Sequence, residues 1–248
     1  MEQTAVWAHR GASAYKAENT MEAFELAIEL EADGLELDVH LSADGKIVVT
    51  HDENTSRVTG QNYQIKEISW EKIQSLNFAW FQHNGETASA PLLENVLDLV
   101  KRENVTLNIE LKNSVERYDG LEEKVLAAVR AFNMEEQIIY SSFNHQSMKK
   151  MKALGAKSEV GLLTAKLILN PGSYARAMGA EAIHPYYRFV LLPNYLKNCQ
   201  DAGIAVHAWT VNQEKDMVRL YKKQCQAIIT NYPDVAIRIR KQLIDQRN

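Results

Sequence analysis

Short apolar runs recur along the chain, and between them lie longer stretches in which apolar positions return every three or four residues. The first pattern marks buried strands and the second amphipathic helices. Strands are predicted at 4–9, 34–39, 105–111, 137–141, 157–163, 181–185, 203–209 and 227–230. Helical periodicity fills MEAFELAIELEA, GLEEKVLAAVRAF, HQSMKKMKAL, NYLKNCQDA and EKDMVRLYKKQ, and a last helix starts after NYPD. Strand and helix alternating eight times predict a (β/α)8 TIM barrel, with a doubly wound open sheet as the competing arrangement.

The interval between the second and third strands is too long for one crossover. LSADGKIVVTH (41–51) reads as a strand end, an Asp44-Gly45 turn and a return strand, because Asp-Gly favours tight hairpins. His51 then comes back to the end of strand two. The mixed stretch 51–104 is expected to form a small insertion on the rim of a single barrel domain spanning residues 1–248.

Side chains alternate faces along a strand, so the polar positions in these runs carry direction. In GLELDV, Leu35, Leu37 and Val39 share the helix-facing side, which leaves Glu36 and Asp38 inside the barrel. In VTLNIELK the same parity turns Asn108, Glu110 and Lys112 inward. Burying unpaired charge costs several kcal/mol per ion, so Glu36, Asp38 and Glu110 require compensation. A hard divalent cation with oxygen ligands meets that need; the alternative is an inward ion-pair network in which Arg10 and Lys112 neutralise the carboxylates without a metal.

His9 ends the first strand and His51 the return strand, so both overhang the C-terminal mouth where such barrels carry their chemistry. Neither histidine decides anything alone, but two imidazoles flanking a metal suit a general acid and a general base. Arg10 adds a planar fork of donors and Lys112 a point charge, a combination that matches a phosphoryl group. Gly11 is expected to let the backbone approach that anion. Asn19, with Glu22 three residues later, is expected to cap the first helix.

Composition narrows the class. The chain has 248 residues, 46% of them hydrophobic, and a net charge of -4 without a dense basic block, which argues against nucleic acid as a partner. No apolar run approaches the ~18 to 20 residues of a membrane span, and MEQTAVWAHRG lacks the features of a signal peptide, so a cytoplasmic protein without a stable membrane anchor is expected. Cys199 and Cys225 sit in no metal or redox motif and are expected to be buried free thiols. Assembly as a homodimer is left open.

With these residues in place, the chain resembles the glycerophosphodiester phosphodiesterase family. The likeness is carried by HRG (9–11), ENT (18–20), LELDV (35–39), DGKIVVTHD (44–52), IELK (109–112), SSF (141–143), WTVN (209–212) and TNYPD (230–234), in order and across nearly the whole chain. The resemblance implies hydrolysis of glycerophosphodiesters to an alcohol and sn-glycerol 3-phosphate with one divalent metal ion, Ca²⁺ or Mg²⁺. It implies metal ligation by Glu36, Asp38 and Glu110, acid and base roles for His9 and His51, phosphate contacts from Arg10 and Lys112, and a substrate pocket walled by Trp209. Ala17 and Thr55 depart from the family pattern, which more often has proline and leucine there, while Arg57, Thr59 and Gly60 match it.

Glu18 fits an accessory role beside the catalytic or metal-bound groups, or equally a charge complementing the first helix dipole. Trp209 shares the parity of His207, so core packing competes with a substrate role. His40, His83, His145, His184 and His207 are expected to be structural, and Tyr186, Tyr187 and Phe189 to serve ordinary loop packing before any head-group pocket. Two functional alternatives remain at this level, namely a lysophospholipase D-like or cyclic phosphodiesterase activity, and a catalytically silent phosphate-ester binder.

Overall fold

All eight apolar runs form strands. The computed structural model describes residues 4–81 and 86–246; His83 lies outside the described residues. In chain order the strands are β1 (Ala5–His9), β2 (Gly34–Leu41), β3 (Ile47–Val49), β4 (Thr106–Leu111), β5 (Ile138–Ser142), β6 (Glu159–Thr164), β7 (Ala182–Pro185), β8 (Ala205–Ala208) and β9 (Ala227–Thr230). β1 pairs in parallel with both β2 and β9, and the remaining parallel neighbours run β2, β4, β5, β6, β7, β8, β9. Eight parallel strands therefore close on themselves, and the open-sheet alternative is excluded. β3 is the antiparallel return strand, paired with the far end of β2 through Val39–Val49 and Leu41–Ile47.

The helices are α1 (Met21–Glu29), α2 (Ser56–Thr59), α3 (Trp70–Gln74), α4 (Leu93–Glu103), α5 (Leu121–Ala131), α6 (His145–Ala153), α7 (Pro171–Ala177), α8 (Tyr187–Val190), α9 (Tyr195–Asp201), α10 (Glu214–Lys222) and α11 (Pro233–Asp245). Leu35, Leu37 and Val39 of β2 and Leu107, Ile109 and Leu111 of β4 turn outward and disappear among Phe24, Leu93, Leu97 and Val125. Each such side chain contributes about 1.5–3 kcal/mol by leaving water, which ties the strand parity to the fold.

The stretch 51–104 ends in α4, which packs between α1 and α5 as the crossover from β3 to β4. Ahead of it, α2, a short 3₁₀ turn and α3 enclose a second small core of Val48, Val58, Ile65, Ile73, Leu76, Phe78 and Ala90. No helix among the described residues is long and apolar enough to cross a membrane. Cys199 and Cys225 are both buried and free.

One local expectation is corrected. Thr20, not Asn19, caps α1: its extended backbone and its Oγ1, accepting from Ala23 N at 3.3 Å, meet the geometry of a cap. Gly11 has φ of 80°, and a β-carbon there would lie 2.6 Å from the backbone carbon of Ala23. The missing side chain makes room for the first turn of α1.

Inside the barrel, away from the carboxylates, His207 Nδ1 and His184 Nε2 pair at 2.9 Å and the Trp7 ring stands 4.4 Å from that of His207. Gly161 admits this pair, since a β-carbon on it would fall 2.2 Å from His184 Nε2. His145 is likewise structural, bonded to the Tyr174 hydroxyl and the Leu163 carbonyl.

Candidate active site

Register gathers the polar side chains of different strands. His9 lies beside Glu36, Glu36 beside Asn108, and Asp38 beside Glu110. Because these positions all have inward parity, the two layers stack at the C-terminal end of the barrel. Glu36, Asp38 and Glu110 are 4%, 1% and 7% exposed, and one oxygen from each lies within 4.8 Å of the others.

Such proximity is electrostatically expensive. Burial, together with repulsion from Asp38 and Glu110, holds Glu36 well above the usual carboxylate range, and burial raises Glu110 despite its contact with Lys112. Burial also opposes ionisation of Asp38, but Lys112 and Arg10 outweigh it and hold its carboxyl well below the ordinary value. Lys112 Nζ donates to Glu110 Oε1 at 3.0 Å and stands 3.7 Å from Asp38 Oδ1, while Arg10 Nε is 3.3 Å from Asp38 Oδ2. The ion-pair network expected as an alternative is therefore present, but it is incomplete.

Counted with both imidazoles neutral and every carboxyl ionised, the state that ligation of Glu36 and Glu110 by a cation requires, five carboxylates at the mouth, Glu18, Glu36, Asp38, Asp52 and Glu110, meet three fixed cations, Arg10, Arg57 and Lys112. The shortfall is two positive charges, that of one divalent ion. Asp38 Oδ1 is buried without a hydrogen-bond donor. An all-oxygen donor set with an unpartnered buried oxygen fits a hard divalent cation.

His9 and His51 both line the same cavity, whose walls also include Arg10, Glu36, Asn108, Glu110, Phe143 and Trp209. Each imidazole is oriented through its Nδ1. His9 Nδ1 is 2.7 Å from the Asn231 side-chain oxygen, so it donates there and leaves Nε2 free. Its enclosed position and the adjacent Arg10 guanidinium push its pKa down to about 3, so the imidazole is neutral at ordinary pH. His51 Nδ1 donates to Asp52 Oδ1 at 2.6 Å, and His40, fully buried, donates from Nε2 to the His51 carbonyl at 3.0 Å. His40 is thus structural, as expected, but structural for the site.

Arg10 takes a left-handed backbone, φ 56°, in which its own N–H donates to Glu36 Oε2 at 2.9 Å and its Nη1 to Glu18 Oε1 at 2.9 Å. Its buried Nε has no hydrogen-bond acceptor. Glu18 is 8% exposed and held by Arg10 and Arg57, so neighbouring guanidiniums rather than a helix dipole account for its placement. Asn19 sends Nδ2 to Asp38 Oδ2 at 2.9 Å, a contact with a carboxylate of the site.

Trp209 closes the apolar wall. Its Nε1 donates to the His184 carbonyl at 2.7 Å and its ring meets Phe143 edge to face at 5.6 Å. Tyr186, Tyr187 and Phe189 pack mainly on one another and outside the cavity wall. The sequence reading assigned no part to Asn231, Asp52 or Phe143, although each lies in a motif quoted for the resemblance. The signal that finds them is adjacency, since a residue beside a mouth histidine or at a strand end is placed to orient it.

Residues 9–235 match the glycerophosphoryl diester phosphodiesterase family. The chain belongs to this family. It is 37% identical over 238 residues to a glycerophosphodiester phosphodiesterase of Caldanaerobacter subterraneus subsp. tengcongensis, covering 96% of this chain and 98% of that one. Among solved structures, one from Silicibacter pomeroyi shares the fold with a TM-score of 0.89 at 24% identity, covering 97% of this chain and 94% of the other. An Oleispira antarctica phosphodiesterase in complex with the product sn-glycerol-3-phosphate aligns with a TM-score of 0.85 at 25% identity, covering 96% and 97%. The family match begins at His9 and runs past Asn231, so it includes all the groups described above.

Proposed function

We propose that this enzyme hydrolyses glycerophosphodiesters to an alcohol and sn-glycerol 3-phosphate, with one divalent ion, Ca²⁺ or Mg²⁺, held by Glu36, Asp38 and Glu110. The observation that carries the reading is the meeting of three buried carboxylates, two oriented imidazoles and an Arg10 N–H without an acceptor in one cavity. The product-bound Oleispira antarctica relative supports the substrate class.

A phosphodiester resists attack because its charge repels nucleophiles and its alkoxide leaves poorly. When bound, the ion supplies Lewis-acid stabilisation of charge on the phosphoryl oxygens. Arg10 binds those oxygens through its fork and Lys112 through its point charge. One imidazole removes a proton from the attacking water or hydroxyl at its free Nε2, and the other protonates the departing alkoxide. Asp52 orients the His51 ring by accepting from its Nδ1, while Asn231 accepts from His9 Nδ1 and so leaves its Nε2 exposed. The Trp209 and Phe143 rings wall the carbon side of the substrate and limit water there.

The test is release of glycerol 3-phosphate from glycerophosphocholine by the purified chain with Ca²⁺, Mg²⁺ or Mn²⁺. EDTA should abolish turnover and one of the ions restore it; full activity in excess EDTA overturns the metal. His9→Ala and His51→Ala should each lower kcat by at least about 100-fold, with the fold retained by circular dichroism. Near-normal turnover by either variant removes that histidine from the mechanism.

A further inference from the structure

One side chain of the segment after β3 turns back into the mouth. Arg57, on the single-turn helix α2, donates from Nε to Asp52 Oδ2 at 2.6 Å, from Nη1 to Glu18 Oε2 at 2.9 Å and from Nη2 to Glu18 Oε1 at 2.6 Å. Each of these carboxylates is joined in turn to a cavity residue. Asp52 Oδ1 accepts from His51 and Glu18 Oε1 from Arg10. Glu18 and Asp52 make no bond with each other; Arg57 is the group they share.

We propose that Arg57 is a positioning residue that sets His51 and Arg10 relative to one another, making the proton-transferring and anion-binding sides of the mouth one unit. This rests on the function proposed above. A carboxylate held by one oxygen is free to turn about its terminal torsion, which is broad. With Oδ2 fixed by Arg57, it is Oδ1 of Asp52 that faces His51. Glu18 is fixed in the same way, both its oxygens being engaged by the fork while Oε1 still accepts from Arg10.

Only a guanidinium does this. Its planar donors point in fixed directions and serve two carboxylates at once, whereas the lysine ammonium is a compact point charge on a flexible stem. Arg57 is 40% exposed, so its ion pairs are screened and its contribution to global stability is small. It is not among the residues that wall the cavity. Its effect therefore belongs in kcat more than in KM.

Arg57→Ala and Arg57→Lys should be assayed beside the parent with glycerophosphocholine and the ion that supports the parent's turnover. Expected is a fall in kcat of about 10- to 100-fold for both, with KM changed by less than about threefold and an unfolding midpoint close to the parent's. Failure of lysine to restore kcat separates a geometric role from a charge effect. The deciding measurement is the coupling between Glu18→Gln and Asp52→Asn. In the parent the double variant should be little worse than either single one, because each breaks the same unit, whereas in the Arg57→Ala background their effects should multiply.

Retention of kcat within about twofold by Arg57→Ala, full rescue by Arg57→Lys, or coupling that survives in the Arg57→Ala background overturns the proposal. If Arg57→Ala does not fold, the same cycle in the Arg57→Lys background decides it. A parent that releases no glycerol 3-phosphate with any of the ions overturns the proposed function and this inference together; an active parent with an unaffected Arg57→Ala overturns the inference alone.

Discussion

At the scale of single residues, the site is a set of constraints on protons. Asn231 is a neutral acceptor for His9 Nδ1, and that neutrality is testable. Asn231→Asp places a carboxylate there, favours the imidazolium and raises the His9 pKa from its depressed value. If neutral His9 is the working form, the acid limb of the kcat profile should move to higher pH in Asn231→Asp, and an unmoved profile would exclude His9 as the group that must be neutral. Asn231→Ala removes the acceptor altogether, and because that hydrogen bond raises the His9 pKa, it should lower kcat by about 10- to 100-fold and move the limb, in the opposite sense, to lower pH. Strand parity made Glu36, Asp38 and Glu110 legible, because a carboxylate on the inward face of a buried strand has no ordinary explanation. The partners that orient the imidazoles were not legible by that route. Asp52 and Asn231 lie beyond strand ends, where no periodicity assigns direction, and Asn231 is 222 residues from the side chain it holds.

At the scale of elements, the strands were readable because each is bounded by turn residues and buried on its outer face, and the Asp44-Gly45 hairpin because its turn chemistry is local. α4 escaped the sequence reading because its good amphipathic pattern lies inside a stretch too long for one crossover. α7 escaped because PGSYARA offers few apolar positions to set a period. Asn19 was mistaken for the cap of α1 because cap preference alone does not separate two neighbouring capping residues, and the carboxylate of Asp38 claims Asn19. Thr20→Ala should therefore destabilise the protein by about 1 kcal/mol, read by urea unfolding. Ile73 is fully buried in the small second core, and Ile73→Ala should cost about 2–5 kcal/mol; a loss below about 1 kcal/mol would mean that this core unfolds separately from the barrel.

For the whole molecule, burial of three structural histidines sets a dependence of stability on pH. Burial pushes His40 down to about 4 and His207 to about 3, and burial together with His207 holds His184 well below the ordinary range. The unfolded chain takes up these protons near pH 6.5 and the folded chain does not, so stability is complete above about pH 7 and falls as the pH drops toward 4. Each imidazole removes on the order of 1 kcal/mol per pH unit below its unfolded pKa. Glu36 and Glu110, whose raised values act in the opposite sense, offset part of this until a metal holds them ionised. Urea unfolding with saturating metal should thus lose stability steadily between pH 6.5 and 4.5, and a flat profile would contradict the neutral state of these residues.

The closure of the barrel through β1 and β9 also has a meaning for synthesis. His9 is made long before Asn231, whose side-chain oxygen orients it and which follows β9, 222 residues further along the chain. Until β9 is made, β1 lacks its second neighbour and His9 lacks the Asn231 oxygen. The oriented His9 consequently arrives late, after the last strand, and a ribosome-stalled chain ending before β9 would lack the acceptor that fixes its ring.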